Sequence, residues 1–328
     1  MKTVVYVRYG GPEVLEFKEV AKPTPKGNEV LVKIHASTVT TTETYFRKGK
    51  PLMTRLFTGL LRPKLGTLGE ELAGEIVDVG SDVSRFNIGD QVFGTAGPKF
   101  GANAEYLCIP EGGVLAPMPA RCSYEEAAAS VDGFLTALPF LRDTGGVQRG
   151  QQVLINGASG SIGSSAVQVA KHLGASVSAV CSTANVELVK SLGAERVFDY
   201  TREDFTWADQ RYDVIFDAVG KLSFSRCKDK LREGGIFLEA AIVPSVMITV
   251  LRTSLFGSRK VKVAATGMRK PVERLRDLEL LRQLLESGGI RPVIDRRYSL
   301  DQIVEAHRYV DQGHKKGNVV IKVASESD

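Results

Sequence analysis

The hydrophobic and polar positions of the chain follow one pattern before about residue 122 and another after it. The first part contains short apolar runs of the strand type, such as EVLVKI and AGEIVDV, separated by glycine and proline. The second part alternates apolar strands with amphipathic helical segments, and it begins with QQVLIN followed by SIGSSAVQVAKHLG. Because strands regularly separated by helices form βαβ units, the second part predicts a parallel sheet with helices on both faces. The first part predicts an all-β structure.

The pattern changes again near residue 291. The segment SLDQIVEAHRYVDQG predicts a helix that begins after Ser299, with Gln302 placed to complete a capping box. The segment GNVVIKV predicts one last strand. The end of the chain therefore departs from the alternation that precedes it.

The composition of the chain indicates the class of protein. A chain of 328 residues with 43% hydrophobic and 25% charged residues has room for two globular, soluble domains. The formal net charge of +5 is spread over the chain, without a basic stripe interleaved with aromatic residues. Nucleic acid is therefore not an expected partner.

The cysteines and the apolar segments indicate the cellular compartment in which the protein is expected. No C-x-x-C spacing occurs, which argues against a zinc lobe or an iron–sulfur cluster and fits a reducing compartment. The N-terminus lacks the pattern of a signal peptide, so we expect a cytoplasmic protein. The most apolar segment is interrupted by Pro244 and Arg252, so we expect a buried or dimer-facing helix and no integral membrane association.

A glycine-rich loop lies between the first strand and the first helix of the second part. Ala158, Gly160 and Gly163 fill the spacing A-x-G-x-x-G in the strand, turn and helix context that a dinucleotide-binding loop requires. Gly160 would let the backbone approach a pyrophosphate, and Gly163 would let the helix pack closely on the sheet. Amides at the helix N-terminus would receive the anion. The expected cofactor-binding residues of this loop are Ala158, Ser159, Gly160, Ser161, Ile162 and Gly163.

The end of the next strand indicates which dinucleotide binds. An acidic residue there would hold the adenosine ribose of NAD, whereas this strand ends in VCSTANVEL, with Ser182, Thr183 and Asn185. We expect no carboxylate in place there to repel a 2′-phosphate, and short hydroxyls are present, which favours NADP(H). Tyr200, in VFDYTRED, either borders that phosphate or is a core tyrosine.

Several motifs together identify a resemblance. The segments YGGPEVLEF, GDQVFG, GASGSIGSSAVQVAKHLGA, YDVIFDAVG and GHKKGNVVIKV resemble the medium-chain dehydrogenase/reductase superfamily, in its zinc-free quinone oxidoreductase branch related to zeta-crystallin. The resemblance covers residues 8 to 323. A short-chain reductase would need a tyrosine four residues before a lysine, and none of the nine tyrosines has one.

The resemblance implies an α/β fold in two domains. A chaperonin-10-like β-barrel domain, residues 1–122 and 292–328, would be interrupted by a Rossmann dinucleotide-binding domain with a doubly wound parallel sheet, residues 123–291. It also implies a cofactor in the cleft between the domains and a homodimer.

The resemblance also bears on zinc. The positions that bind catalytic zinc in alcohol dehydrogenases of the superfamily fall on Thr40, Glu70 and Asp132, which lack the thiolate and imidazole donors typical of such sites. We therefore expect no metal. The quinone reductase branch often carries asparagine at the position of Thr40 and aspartate at the position of Glu43.

Without a metal, positioning and hydrogen bonds must carry the reaction, which suits hydride transfer to a hydrophobic quinone or α,β-unsaturated carbonyl compound. The expected catalytic residues are Thr40 and Tyr45, as hydroxyl donors, and Asp132; Asp132 and Glu70 can also be read as buried structural acids. Threonines 38 and 42 fit an extended strand end. Further cofactor-lining residues implied by the resemblance are Thr136, Ala218, Val219 and Gly220, with Ala240, Ala241, Gly317 and Asn318 at the nicotinamide end.

The sequence allows two interpretations of two apolar segments, and it allows two functions besides the leading one. Residues 45–66 and 246–255 either wall a hydrophobic acceptor pocket or are buried against the partner domain. The leading interpretation is an NADPH-dependent, zinc-independent quinone or enone reductase. The alternatives are an NAD(P)-dependent alcohol or aldehyde dehydrogenase and a catalytically silent cofactor-binding structural protein.

Overall fold

The computed structural model describes residues 1–64, 66–241 and 244–323. Its strands are β1 Lys2–Val5, β2 Glu16–Glu19, β3 Glu29–Val39, β4 Glu71–Val79, β5 Gln91–Thr95, β6 Tyr106–Pro110, β7 Val114–Pro117, β8 Gln152–Asn156, β9 Ser176–Cys181, β10 Arg196–Asp199, β11 Tyr212–Asp217, β12 Leu231–Glu239, β13 Lys260–Val263, β14 Ile294–Ser299 and β15 Asn318–Lys322. Its α-helices are α1 Thr41–Lys48, α2 Thr54–Thr58, α3 Tyr124–Leu138, α4 Ser161–His172, α5 Val186–Ser191, α6 Phe224–Cys227, α7 Pro244–Leu255, α8 Pro271–Glu286 and α9 Ile303–Asp311.

The chain forms two compact units. The first consists of Met1–Asp132, Lys270–Gly288 and the chain from Pro292 onward, and the second of Gly133–Arg269 and Gly289–Arg291.

The first unit is built on a seven-stranded sheet in the order β14-β15-β3-β4-β5-β7, with β6 also paired to β3. All its pairings are antiparallel except β14 with β15. The long central strand β3 buries Val30, Val32 and Ile34 against apolar side chains of β4, β5 and β7. The predicted capping box of Ser299 and Gln302 is confirmed, and it precedes α9.

The second unit contains a six-stranded sheet, parallel throughout, in the order β10-β9-β8-β11-β12-β13. In chain order this is 3-2-1-4-5-6, and the order reverses between β8 and β11. Strands such as β8 are almost continuously apolar because helices cover both faces of such a sheet. Ligands of open parallel sheets bind outside the carboxyl ends of the strands, next to the reversal point. The parallel sheet predicted from the sequence is confirmed.

One sequence expectation in the first unit is wrong. Thr42 does not lie in an extended strand: β3 ends at Val39, and Thr42 is in the first turn of α1. The physical reason is Thr40, whose Oγ1 accepts a hydrogen bond from the amide of Glu43 and begins the helix. Gly49, in the left-handed region at φ 59°, ends it.

Candidate functional site

The glycine loop joins β8 to α4 at the reversal point of the parallel sheet. Gly157 has φ 74°, a conformation that favours glycine. A Cβ at Gly163 would lie 2.1 Å from the carbonyl oxygen of Gly157, so the close packing predicted at Gly163 is confirmed. A Cβ at Gly160 would meet only that carbonyl oxygen, at 3.6 Å. The fold itself therefore has room for a side chain at Gly160, and a ligand that approaches the backbone there would explain the glycine.

The N-terminus of α4 faces this loop. Gly160 is the N-cap in an extended conformation, and the first amides of the helix have no intrahelical acceptor. Their dipoles and the helix dipole favour an anion at this point. On α3, a Cβ at Gly133 would lie 2.5 Å from the carbonyl oxygen of Ser161, so α3 packs against the start of α4. Thr136 lies one helical turn further along α3.

The loop after β9 contacts the glycine loop. The Nδ2 of Asn185 donates to Ser159 Oγ at 3.0 Å and to Ser182 Oγ at 3.1 Å. The Oδ1 of Asn185 is buried and has no hydrogen-bond partner among the described residues. The structure therefore brings three predicted residues together and leaves one buried acceptor able to receive a ligand hydroxyl.

Asp199 is a carboxylate that the sequence argument missed. It ends β10, next to the end of β9, and its Oδ2 accepts a hydrogen bond of 2.6 Å from Thr183 Oγ1. The hydrogen bond from Thr183, reinforced by those from Thr201, lowers the pKa of Asp199 below its ordinary value. The expectation that no carboxylate lies near this loop is therefore wrong, because lateral strand pairing places a residue 16 positions away beside Thr183. Arg202 Nε lies 3.5 Å from the same carboxylate.

Tyr200 is the next residue in the chain after Asp199. Its side chain is 62% exposed, so the alternative of a core tyrosine is wrong. Its amide donates to the carbonyl oxygen of Cys181 at 3.0 Å, so the residue lies at the carboxyl ends of β9 and β10.

The turn after β11 is organised by Asp217, which is fully buried. Its Oδ1 accepts hydrogen bonds from Asn156 Nδ2 at 2.9 Å and from the amides of Val219 and Gly220 at 3.1 Å. Gly220 has φ 66°, which favours glycine. A Cβ at Gly157 would lie 2.4 Å from Val219 Cγ1, so this turn contacts the glycine loop. Residues 218–220 are thus placed beside residue 157, as a common site requires.

The end of β12 completes this edge. Glu239 is buried, and its Oε1 accepts a hydrogen bond of 3.1 Å from the amide of Ala241. Burial raises the pKa of Glu239 to about 7, and the neighbouring charge of Asp217 acts in the same direction. A Cβ at Gly220 would lie 2.7 Å from Ala241 Cβ, so Ala240 and Ala241 lie beside the preceding turn.

A sequence signal for the missed acids exists. Three successive strands end in an acid, in RVFD, VIFD and IFLE. Because parallel strands end at the same edge of a sheet, Asp199, Asp217 and Glu239 had to lie along that edge.

The other predicted residues belong to the first unit. Thr40 Oγ1 is buried and accepts from the amide of Glu43 at 3.1 Å, which leaves its O–H able to donate. Tyr45, on the same helix, is 47% exposed. Gly317 and Asn318 have packing roles: a Cβ at Gly317 would lie 2.2 Å from the carbonyl oxygen of Val293, and Asn318 donates to that oxygen.

Three acids lie close together in the first unit. Glu70 accepts hydrogen bonds from Arg274 Nη2 at 3.2 Å and from Thr95, and Glu71 accepts one of 2.6 Å from Thr38. Burial raises the pKa of Glu70 and of Glu71, and the charge of Asp132 adds to both shifts. Arg274 opposes the shift at Glu70. The ion pair with Arg274 gives Glu70 a structural role.

Among the described residues, no cluster of three or more His, Cys, Asp or Glu side chains has an arrangement that could hold a metal ion. Within the same residues, every helix is too short or too polar to cross a membrane.

Two family models match the chain. Residues 26–120 match the alcohol dehydrogenase GroES-like domain, and residues 192–321 match the zinc-binding dehydrogenase model.

Known relatives match almost the whole chain. It is 35% identical to the 2-methylene-furan-3-one reductase of Solanum lycopersicum, over 98% of this chain and 79% of the relative. It is 32% identical to a chloroplastic NADPH-dependent alkenal/one oxidoreductase of Arabidopsis thaliana, with the same two coverages.

Solved structures agree with these matches. The quinone oxidoreductase from Coxiella burnetii superimposes with a TM-score of 0.88 at 29% identity, over 99% of both chains. The Escherichia coli quinone oxidoreductase complexed with NADPH superimposes with a TM-score of 0.83 at 27% identity, over 98% of this chain and all of the other.

Proposed function

Because the chain belongs to the medium-chain dehydrogenase/reductase superfamily, in its quinone oxidoreductase branch, we propose that it reduces quinones or α,β-unsaturated carbonyl compounds with NADPH. It is an NAD(P)H-dependent oxidoreductase. The observation that carries the proposal is the glycine loop at the reversal point of a parallel sheet in the order 3-2-1-4-5-6.

The residues at the carboxyl edge of the second unit fit NADP(H). The backbone at Gly160 is open to an approaching pyrophosphate, and the first amides of α4 would hold it. The unpartnered Oδ1 of Asn185 would accept from a ribose hydroxyl. Arg202, beside the carboxylate of Asp199, would offset part of the negative charge that opposes a 2′-phosphate, and the exposed ring of Tyr200 would border that phosphate. When bound, NADPH supplies the hydride.

The acceptor requires hydrogen-bond donors at the oxygen on which negative charge develops. We propose that the hydroxyls of Thr40 and Tyr45 donate there, since the oxygen of Thr40 already accepts from an amide and its proton remains available. Asp132 is proposed to support proton delivery. Hydride would add to a carbon remote from the carbonyl oxygen, and a proton would complete the product.

We further propose that this reduction is independent of zinc. Thr40 caps a helix and Glu70 is paired with Arg274, so two of the three positions that the resemblance assigns to zinc ligands have other partners. Hydroxyl and carboxylate groups alone are also poor donors for catalytic zinc.

Three further proposals concern the oligomeric state, the cellular location and the limits of the domains. We propose a homodimer, a cytoplasmic location and domain limits at residues 1–122 with 292–328 and at 123–291. Light scattering of the purified chain tests the first of these.

The test of function combines metal analysis with turnover. We expect purified protein without stoichiometric zinc to oxidise NADPH faster than NADH in the presence of quinones and enones. Stoichiometric zinc with alcohol oxidation would favour a dehydrogenase. Tight NADPH binding without turnover across the panel would favour a cofactor-binding structural protein.

A further inference from the structure

Residues 50–64, which include α2, expose more large apolar side chains than a surface loop normally does. Five apolar side chains of the segment are exposed to solvent, by 60% to 94%: Leu52, Met53, Leu56, Leu60 and Leu61. Three of its polar side chains are covered instead, since Thr58 is buried and Thr54 and Arg55 are half-buried. An apolar patch of this kind marks an interaction surface.

Polar contacts to the rest of the first unit hold this segment in one shape. The hydroxyls of Tyr9 and Thr58 share a hydrogen bond of 2.7 Å. The guanidinium of Arg55 lies 4.6 Å from the centre of the Tyr9 ring and donates to the carbonyl oxygen of Gly49 at 3.1 Å. Because the polar groups are used in anchoring, the outward direction of the leucines follows from the fold of the segment.

The charge of this region has one sign. Residues 44–69 contain no aspartate or glutamate, and they contain six basic residues, Arg47, Lys48, Lys50, Arg55, Arg62 and Lys64. Arg47 and Lys48 pair with Asp311. Lys50, Arg62 and Lys64 are exposed and pair with no acid of the described chain. Three unpaired positive charges thus lie within the same segment as the five exposed apolar side chains.

We propose that residues 50–64 dock the protein on an anionic lipid surface. Apolar side chains that enter the boundary of the acyl chains, together with lysine and arginine at the headgroups, are the chemistry of interfacial binding. A second copy of the chain fits less well, because a two-fold interface through this segment would place the same basic residues opposite each other. The proposal concerns the membrane surface only and does not depend on the proposed reductase activity.

Sedimentation of the full chain with lipid vesicles tests this. We expect binding to vesicles of equal parts phosphatidylserine and phosphatidylcholine, release at high salt, and little binding to phosphatidylcholine alone. Equal binding to both vesicles, or none to either, would overturn the proposal. A concentration-dependent dimer that is lost in the variants below, without vesicle binding, would favour a second copy.

Two pairs of matched variants locate the surface. Since each basic residue near an anionic surface contributes about five-fold to binding, K50Q/R62Q/K64Q should weaken it on the order of 100-fold. The control R149Q/R211Q/K228Q removes the same charge from exposed positions of the second unit and should bind as the parent does. Equal weakening by both triples would show a dependence on net charge alone and overturn the assignment.

The second pair of variants tests the apolar side chains. L56S/L60S/L61S should abolish binding to the mixed vesicles, because the leucines supply the inserted surface. The control I248S/L251S/L255S removes similarly exposed apolar side chains from α7 and should leave binding unchanged. Unchanged binding by the first triple would contradict the proposal. Thermal unfolding of each variant confirms that the fold is retained.

Discussion

The strand-end turns of the second unit and the first turn of α1 in the first unit hold their candidate residues by different means. In the second unit, backbone geometry fixes the site: Gly157 and Gly220 have positive φ, and Gly163 leaves no space for a Cβ. In the first unit, side chains carry both structure and chemistry. Thr40 caps the helix with the same hydroxyl that we propose to be catalytic.

This difference determines what a substitution can show. Where the backbone forms a site, each glycine serves either the packing of the fold or the approach of the ligand. Substitution by alanine, which adds one methyl group, can distinguish these two roles. A side chain with two roles gives mixed results, so its variants need a readout for each role.

The largest effect on stability is expected at Gly163. An added Cβ would lie 2.1 Å from a backbone oxygen, which cannot move without shifting the turn. We expect G163A to lower the free energy of unfolding by about 3 kcal/mol or more, measured by urea denaturation. Gly112, where an added Cβ meets nothing within 4 Å, provides the control, and G112A should change little. Equal stability of both variants would remove the packing explanation.

A pH-dependent effect is expected at Glu239. Its pKa is raised from 4.5 to about 7, so the folded state holds a proton that the unfolded state releases. The resulting stabilisation is fully present below about pH 4.5 and is lost as the pH rises through 7. Between about pH 5 and pH 8, the parent should therefore lose up to about 3 kcal/mol more stability than E239Q. Parallel urea-denaturation profiles of the two proteins would contradict the assigned burial.

A smaller effect on the fold is expected at Thr40. Loss of the N-cap in T40V should cost about 1 kcal/mol of stability, which T40S should restore. If the hydroxyl also donates to the acceptor, T40V should lower kcat more than it weakens NADPH binding. A loss of stability with unchanged kcat would leave Thr40 as a helix cap only.

Much of the second unit could be predicted from sequence because its signals are local. Alternating strands and helices and the spacing of Ala158, Gly160 and Gly163 are properties of short segments. Asp199 was missed because its contact with Thr183 arises from lateral pairing of β9 and β10. Spacing along the chain does not show such neighbours directly.

The first unit was harder to predict for a different reason. The β-branched residues of TVTTTET fit a strand, and only the hydrogen bond from the amide of Glu43 to Thr40 shows that a helix begins there. The outward direction of Leu56 and Leu61 likewise depends on distant anchoring by Tyr9.

The smallest effect on the fold is expected at Gly160, which also gives the most direct test of the cofactor site. An added Cβ there has room within the protein, so G160A should leave the free energy of unfolding within about 0.5 kcal/mol. Calorimetric titration of the same sample with NADPH is the decisive measurement. The account predicts binding at least about ten-fold weaker than in the parent, which corresponds to about 1.4 kcal/mol. Unchanged affinity for NADPH in a stable G160A protein would contradict the assignment of this loop to the cofactor.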